Sequence, residues 1–514
     1  ASYLLCGIIM LDNLLLGFSV ALTFSNLLYA FIGVFVGNLI GVLPGIGALA
    51  AIAMLLPITY GLDPTGSLMM LAGIYYGTSF GGATTSILLN IPGTVSHAVV
   101  CLDGHPLAKK GRAGPAIFMA MFASFLGVSI GTLFMTAFSP WLAQVAFSFG
   151  PAEYFSLMAM GLLAASTLSS GSAVRAIAAV VIGLIFGCVG TDPNSGVWRF
   201  TFDLPDLADG VPLVALALAF FGVSDVLATA GLLPSQAREK TAITKGQVRP
   251  TRQDMKDSAG AMARGSLLGA FIGAIPGLGG ALAAFISYAT EKNVSKNPAQ
   301  FGHGAIQGVS GPEAANSSAD ITSFIPTLTL GIPGGAVMAL MMGALMIHDI
   351  TPGPLLITQH PELFWGLVIS FWVGNLMLLL LNIPLIGIWV RMLSAPYRFI
   401  FPIVIFLICI AAYASTNAMF DVGLALSLGV VAFFLSRLHI PPAPMLLGFI
   451  LGPLLEENFR RALELSRGDL SVFITRPLGI IVALLLWVGL SFYKAHLRAK
   501  NQPHPVSEPT LSAS

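Results

Sequence analysis

Apolar stretches of about 18 to 25 residues recur along most of the chain, and each is long enough to cross a hydrocarbon core of roughly 30 Å as a helix. The runs are continuous, whereas a membrane barrel alternates apolar with polar positions along every strand. The pattern predicts an all-α polytopic membrane protein of about a dozen spans. Residues 26–41 read as the first span, and 113–138, 151–167, 172–190 and 211–231 as fuller ones. Residues 48–60 and 66–80 are apolar but shorter than a crossing, interrupted by Pro57, Gly61 and Pro64. Residues 1–23 read as an N-terminal extension ending in a short interfacial helix, with Leu14, Leu15, Leu16, Phe18 and Val20. No basic stretch precedes the first apolar run, so no cleavable leader is expected there.

Two short sequences interrupt the pattern in corresponding places. Gly41 Val42 Leu43 Pro44 Gly45 Ile46 Gly47 is echoed by Gly273 Ala274 Ile275 Pro276 Gly277 Leu278 Gly279. A proline flanked by glycines removes a backbone donor and frees φ, so each should break a helix. Further on, Asn90 Ile91 Pro92 Gly93 is answered by Gly331 Ile332 Pro333 Gly334, and residues 172–187 by 418–435. These echoes predict an internal duplication. The first membrane repeat spans 24–234, a basic linker 235–258, the second repeat 259–470, a C-terminal span 471–493 and a tail 494–514. Loop charge orients the copies. The loop at 103–112 holds Lys109, Lys110 and Arg112, whereas its second copy, at 348–352, holds no Lys or Arg. Opposite bias in matched loops means repeats that lie inverted in the membrane. Arg238, Lys240, Lys245, Arg249, Arg252 and Lys256 place the linker on the cytoplasmic side, and Lys494, Arg498 and Lys500 place the C-terminus there too.

Composition agrees: 56% of residues are hydrophobic and 9% charged, with a mean hydropathy of +0.87, against roughly 25% charged in soluble domains. A net charge of +1 offers no field for nucleic acid. Cys6, Cys101, Cys188 and Cys409 are scattered without ligand spacing, and His97, His105, His303 and His348 fall in different loops, so no metal site is expected. The zinc-protease and Walker motifs are missing, which argues against a metalloprotease or an ATP-driven enzyme.

Broken helices at matched positions of two halves point to a midplane binding site, because half-helix N-termini aim unpaired N–H groups at an anion. The polar runs in question are Gly81 to Ser86 and Asn90 to Ser96 in the first copy, and Gly311 to Asp320 with Thr327 to Gly335 in the second. Irregular backbone at that depth survives only where protein buries it or a cavity hydrates it. Candidate anion ligands are Thr84, Thr85, Ser86, Asn90, Gly93, Thr94, Asn316, Ser317, Ser318, Gly334 and Gly335, as amide, hydroxyl or backbone N–H donors. Small residues also let helices approach, which is the competing reading of any one of them. Carbonyls freed around Pro44, Gly45, Gly47, Pro276, Gly277 and Gly279, together with Asp320, are candidates for a coupling cation, sodium or proton. Ionised groups are expensive inside a membrane, so Glu313 and Asp320 lead the functional candidates, ahead of Asp225, Arg175 and Asp421 near helix ends.

Gly41 to Gly47, Tyr76 Gly77, Gly81 to Gly93, Gly311 to Asn316 and Leu328 to Gly334 resemble the large membrane subunit of the bacterial tripartite tricarboxylate transporters, over about residues 12–493. The resemblance implies an ion-gradient-driven secondary transporter of the bacterial inner membrane. It also implies two partners, a small membrane subunit and a periplasmic substrate-binding protein that delivers a carboxylate such as citrate. Kinship with other binding-protein-dependent transporters implies a mobile domain carried across a scaffold, an elevator. The family pattern has a second Asn where this chain has Ser317, so one amide donor is replaced by a shorter hydroxyl. The expected activity is symport of a di- or tricarboxylate without a bound cofactor. The alternative is a channel or stand-alone exporter of small organic anions.

Overall fold

The structure, a computed structural model, describes residues 2–43, 47–168, 172–192, 194–230, 249–392 and 397–476. Pro44, Gly45, most of the linker, most of the expected C-terminal span and the tail lie outside the described residues. Helices dominate, and the only strands among the described residues are an antiparallel pair of two residues each, Gly190–Thr191 against Trp198–Arg199. The first half builds α1 (Ser2–Ala21), α2 (Phe24–Val42), α3 (Ala48–Leu55), α4 (Pro64–Leu89), α5 (Ala98–Leu107), α6 (Ala113–Ala146), α7 (Pro151–Leu168), α8 (Ala173–Gly187), α9 (Leu213–Ala217) and α10 (Ser224–Ala230). The second builds α11 (Arg252–Gly273), α12 (Gly279–Val294), α13 (Gln307–Thr322), α14 (Phe324–Leu330), α15 (Ala336–Ile347), α16 (Leu356–Gln359), α17 (Pro361–Met392), α18 (Tyr397–Thr416), α19 (Met419–Arg437), α20 (Pro442–Leu465) and α21 (Val472–Thr475).

Among the described residues, Phe24–Val42, Val95–Ala146, Pro361–Leu385 and Met419–Arg437 are long and apolar enough to cross a membrane. Other apolar helices are shorter, including Ala48–Gly61, Ala173–Gly187 and Ala336–Ile347. Contacts divide the chain into a larger unit, residues 1–148 and 161–454, and a smaller one, residues 149–160 and 455–514. In the smaller unit the rings of Phe459 and Phe473 stack and that of Phe155 packs tilted against both, with centroids 5.0 to 5.4 Å apart.

Lipid tails are as apolar as Leu, so association of helices in a membrane depends on close backbone packing rather than on burial of apolar surface. Glycine rows supply that packing in the larger unit. Gly33, Gly37 and Gly41 of α2 lie on the backbone of Met70, Ile74 and Thr78 of α4, so near that a Cβ on any of them would come within 3.0 Å. Gly265, Gly269 and Gly273 of α11 lie equally close on Gly311, Ala315 and Ala319 of α13. The two rows stand at one constant sequence offset, and the residues they touch at a second. Gly127 and Gly131 of α6 bring a third backbone against Ala314 and Ser318 of α13. α13 is thus enclosed, and residues 308–322 are all buried.

The sequence reading needs one adjustment here. Gly81 to Ser86 and Gly311 to Asp320 are not irregular backbone: the first run continues α4 to Leu89, and the second is α13 itself. Close contact through small residues stabilises a helix that their propensities alone disfavour. The breaks fall one step later, at Asn90 and Gly331.

Charge appears at an end of the unit. After the kink at Gly111, where φ is 77°, one guanidinium nitrogen of Arg112 donates to both carboxylate oxygens of Asp254 at 2.7 Å. Asp254 also closes the capping box of α11 with Thr251. Partial burial raises its carboxyl, but the bonds from Arg112 and Thr251 outweigh that and hold it below the usual carboxylate range.

Candidate functional site

Two helix ends share one construction. α4 stops at Asn90 and α14 at Gly331, both in the left-handed region, with φ 56° and 66°. An Ile-Pro-Gly turn follows in each case. The Gly93 N–H then donates back to Ser86 Oγ at 3.3 Å, and the Gly334 N–H to Thr327 Oγ1 at 3.2 Å. Each hydroxyl also donates to the carbonyl four residues before it, Gly82 and Ser323. Gly93 lies so close to Gly82, and Gly334 to Ser323, that a Cβ on either would overlap its neighbour. Asn90 and Pro92 are exposed at the first tip, while residues 331–334 are buried at the second. Gly277, with φ 82°, donates its N–H to the Gly334 carbonyl at 3.1 Å. The Pro276–Gly277 break therefore supports the second tip directly. Gly47 caps α3 with nothing near its Cα, and Gly335 opens α15 in extended backbone.

Between the two helix pairs lies a buried polar cluster contributed by both halves. Tyr75 and Ser79 stand one turn apart on α4, and Asn316 and Asp320 one turn apart on α13. Tyr75 donates to Asp320 Oδ1 at 2.7 Å and Ser79 to Oδ2 at 3.3 Å, while Asn316 Nδ2 donates to Ser79 Oγ at 3.0 Å and to Asp320 Oδ2 at 3.4 Å. Gly280, in the first turn of α12, sits where a Cβ would press on the side-chain oxygens of Asn316 and Asp320. The positive end of α12 thereby faces the carboxylate. Asp320 is an acceptor for three neutral donors with no cationic side chain bonded to it, an arrangement suited to a small cation or a proton.

The sequence candidates divide by what they touch. Thr85 donates to the Val42 carbonyl at 2.9 Å, satisfying the acceptor left where α2 ends at its break. Ser86 is committed to the turn, and Thr94 to Ser96 and His97 at 2.7 Å. Thr84 Oγ1, Ser317 Oγ, Ser318 Oγ and Glu313 Oε2 are buried with no hydrogen-bond partner in the protein, and His97 Nε2 has only the Glu313 carboxylate, at 3.5 Å. Buried polar atoms in native folds are nearly always bonded, so these groups have capacity left for a ligand or water. Asp421, by contrast, bonds Thr416 at the start of α19, and Arg175 is exposed.

Three partners escaped the sequence reading: Tyr75, Ser79 and His97. The spacing i, i+4 of Tyr75 and Ser79, matched by Asn316 and Asp320, was the available signal. A cavity of about 460 Å³, lined by Tyr60, Phe186, Leu213, Gly343, Thr416 and Phe449 among others, includes none of the cluster residues. Its walls are mainly apolar, and it carries none of this chemistry.

Residues 27–447 match the tripartite tricarboxylate transporter TctA family. An uncharacterized 52.8 kDa protein in the TAR-I ttuC′ 3′ region of Agrobacterium vitis is 48% identical over 482 residues, 94% of this chain and 95% of that one. An uncharacterized protein in the TAR-II ttuC′ 3′ region of the same organism is 55% identical over 222 residues, 43% of this chain and 90% of the other. No solved structure matches the chain.

Proposed function

This chain belongs to the tripartite tricarboxylate transporter TctA family, and we propose that it is the large membrane subunit of an ion-gradient-driven importer of di- or tricarboxylates. The observation that carries the reading is the paired construction around Asp320: two tips of one design, two glycine rows of one design, and a polar cluster drawn equally from both halves. A duplication whose copies lie inverted in the membrane accounts for all three, and midplane sites at such repeat interfaces are the rule in secondary transporters.

In this reading the carboxylate is held by dipoles rather than by cations. Thr84, Ser317 and Ser318 have hydroxyls to donate, and Asn90 adds a side-chain amide and Thr94 and Gly335 backbone N–H groups at the tips, whose turns are held by the Gly93 and Gly334 N–H groups. A coupling cation, sodium or proton, neutralises Asp320 with Asn316 and Ser79 as neutral ligands, in reach of the carbonyls around Pro276, Gly277 and Gly279. Holding anion and cation close together makes each favour the other, which is what coupling requires. Elevator movement follows from an inverted repeat whose two faces of the site are equivalent. A small membrane subunit and a periplasmic binding protein complete the assembly, in the bacterial inner membrane.

The deciding experiment is reconstitution with a candidate periplasmic binding protein and small membrane subunit, with labelled citrate as probe and sodium and pH gradients imposed separately. Uptake driven by at least one gradient and lost in Asn316→Ala is expected. Uptake at wild-type rate in Asn316→Ala refutes the site, and downhill flux indifferent to both gradients favours a channel. Cysteine cross-links between the mobile domain and the scaffold that fail to trap distinct inward and outward states would count against the elevator.

A further inference from the structure

We propose that His97 and Glu313 form a proton-binding pair, a second ionic site distinct from the Asp320 cluster, which loads and releases one proton per transport cycle. The pair joins three separate elements. His97 ends the turn behind the first tip, Glu313 belongs to α13, and Ser124 belongs to α6. His97 and Glu313 are each 1% exposed. Nε2 of His97 lies 3.5 Å from Oε1 of Glu313, which also accepts from Ser124 Oγ at 2.9 Å. On the far side of the ring, Nδ1 is 2.7 Å from Thr94 Oγ1. Gly82 makes room for the imidazole, since a Cβ there would stand 3.1 Å from two ring atoms.

Two features distinguish this pair from a structural bridge. His97 Nε2 and Glu313 Oε2 have no hydrogen-bond partner, although both are buried. A fixed buried ion pair survives its desolvation only when geometry is tight and the remaining lone pairs are satisfied. Here neither condition holds, and the pair keeps hydrogen-bonding capacity that a proton between the two side chains would fill. With one proton the pair is neutral or internally compensated, with none it is a buried anion facing one hydroxyl, and with two it is a buried cation. Loading forms one N–H or O–H bond at the pair in place of one in water, and unloading reverses it; no electrons move.

Most other ionisable groups on the helices around the pair are engaged elsewhere; Cys101 of α5 meets Ser86 and Lys292 of α12 is exposed. On α5, Asp103 accepts from the N–H groups of Gly302, Gly304 and Ala305 and from Tyr288 of α12, and His105 meets the Ile87 carbonyl. On α12, Glu291 is held in a two-bonded pair by Arg264 of α11. Tyr75 of α4 is bonded to Asp320, and α6 carries no ionisable side chain. Asp320 itself lies seven residues further along α13, about 10 Å away along the helix axis. The proposal rests on the transport reading for its purpose, though not for its chemistry.

The test therefore has two arms. Full-length protein in lipid vesicles is titrated between about pH 5 and pH 8 by infrared difference spectroscopy, the range in which histidine pairs change charge. A protonated-carboxyl signal is expected that vanishes in Glu313→Gln and shifts its midpoint by about one pH unit or more, tenfold in proton affinity, in His97→Gln. A signal unchanged in either variant overturns the proposal. In the second arm, Glu313→Gln should lose pH-gradient-driven citrate uptake at least tenfold while keeping citrate exchange at equal pH. Retained pH-driven uptake overturns the pair, whereas a wild type that moves no carboxylate overturns the transport reading and leaves the spectroscopic result standing.

Discussion

Gly269→Ala tests whether backbone contact between α11 and α13 sets the stability of the larger unit. A Cβ at Gly269 would overlap the carbonyl oxygen of Ala315 and come to 2.9 Å from its carbonyl carbon and Cα, where ordinary contact is 3.4–4 Å. The neighbour is backbone on a buried helix, so relief requires the two helices to part by about an ångström. Overpacking of this kind costs about 1–3 kcal/mol, and the lost Cα–H···O contact adds about 0.5–1 kcal/mol. Alanine returns about 0.5–1 kcal/mol through helix propensity. The net expectation is a loss of about 1–3 kcal/mol, which is about 5- to 150-fold in the folded population. Gly423→Ala is the control, because that glycine is exposed on α19 with nothing within 4 Å of an added Cβ; it should be neutral or slightly stabilised. Thermal unfolding of both variants in the same detergent decides the matter. Equal stability of Gly269→Ala and Gly423→Ala would refute the close-packing argument. A fall in transport should accompany the loss, since α13 carries Asn316 and Asp320 toward Tyr75 and Ser79.

Asp320→Asn removes the charge that two hydroxyls and an amide are arranged to meet, and hydrogen bonds to a charged group are worth about 1.5–3 kcal/mol each. Ion-driven accumulation should fall at least about 100-fold, measured in the same vesicles, and accumulation that survives would remove Asp320 from the coupling site. The Arg112–Asp254 pair gives a pH test. Because the Asp254 carboxyl is held below its usual range in the fold, its contribution is present above the unfolded value of about 3.9 and disappears as pH falls through the lower folded value. Arg112 is 41% exposed, so Asp254→Asn should cost no more than about 1 kcal/mol near neutrality. The difference from wild type should shrink toward about pH 3; a difference that grows on acidification would contradict the pairing.

The helix breaks and the second-half echoes were legible in the sequence because Pro and Gly act locally: each changes the backbone at its own position. The glycine rows were legible in principle too, since Gly33, Gly37 and Gly41 fall on one helix face, as do Gly265, Gly269 and Gly273. What they pack against was not, because contact with Met70 or Ala315 depends on tertiary placement. The bond from Tyr75 to Asp320 joins residues 245 apart; the i, i+4 spacing of Tyr75 with Ser79 and of Asn316 with Asp320 shows in the sequence, but not that the two pairs meet. His97 was hidden for the same reason: on paper it is one of several loop histidines, and only the fold brings Glu313 to it. The polar runs were placed correctly as polar, yet read as irregular because their composition is poor in helix formers. Burial by neighbouring backbones overrode that preference.

Asn90 is where fold and function are hardest to separate. Its φ of 56° ends α4, and an alanine forced into that region costs about 1–2 kcal/mol, so Asn90→Ala changes the turn and the amide together. Asn90→Gly separates them, because glycine takes the left-handed conformation freely and the matched position is already Gly331, with φ 66°. The reverse exchange at Gly331 is not informative, since a Cβ there would lie 2.7 Å from the Pro352 carbonyl oxygen. If the exposed Asn90 amide holds the carboxylate, Asn90→Gly should unfold within about 0.5 kcal/mol of wild type and still lose citrate uptake at least tenfold. Uptake preserved in Asn90→Gly but lost in Asn90→Ala would assign the residue to the turn and leave substrate recognition to Thr84, Ser317 and Ser318.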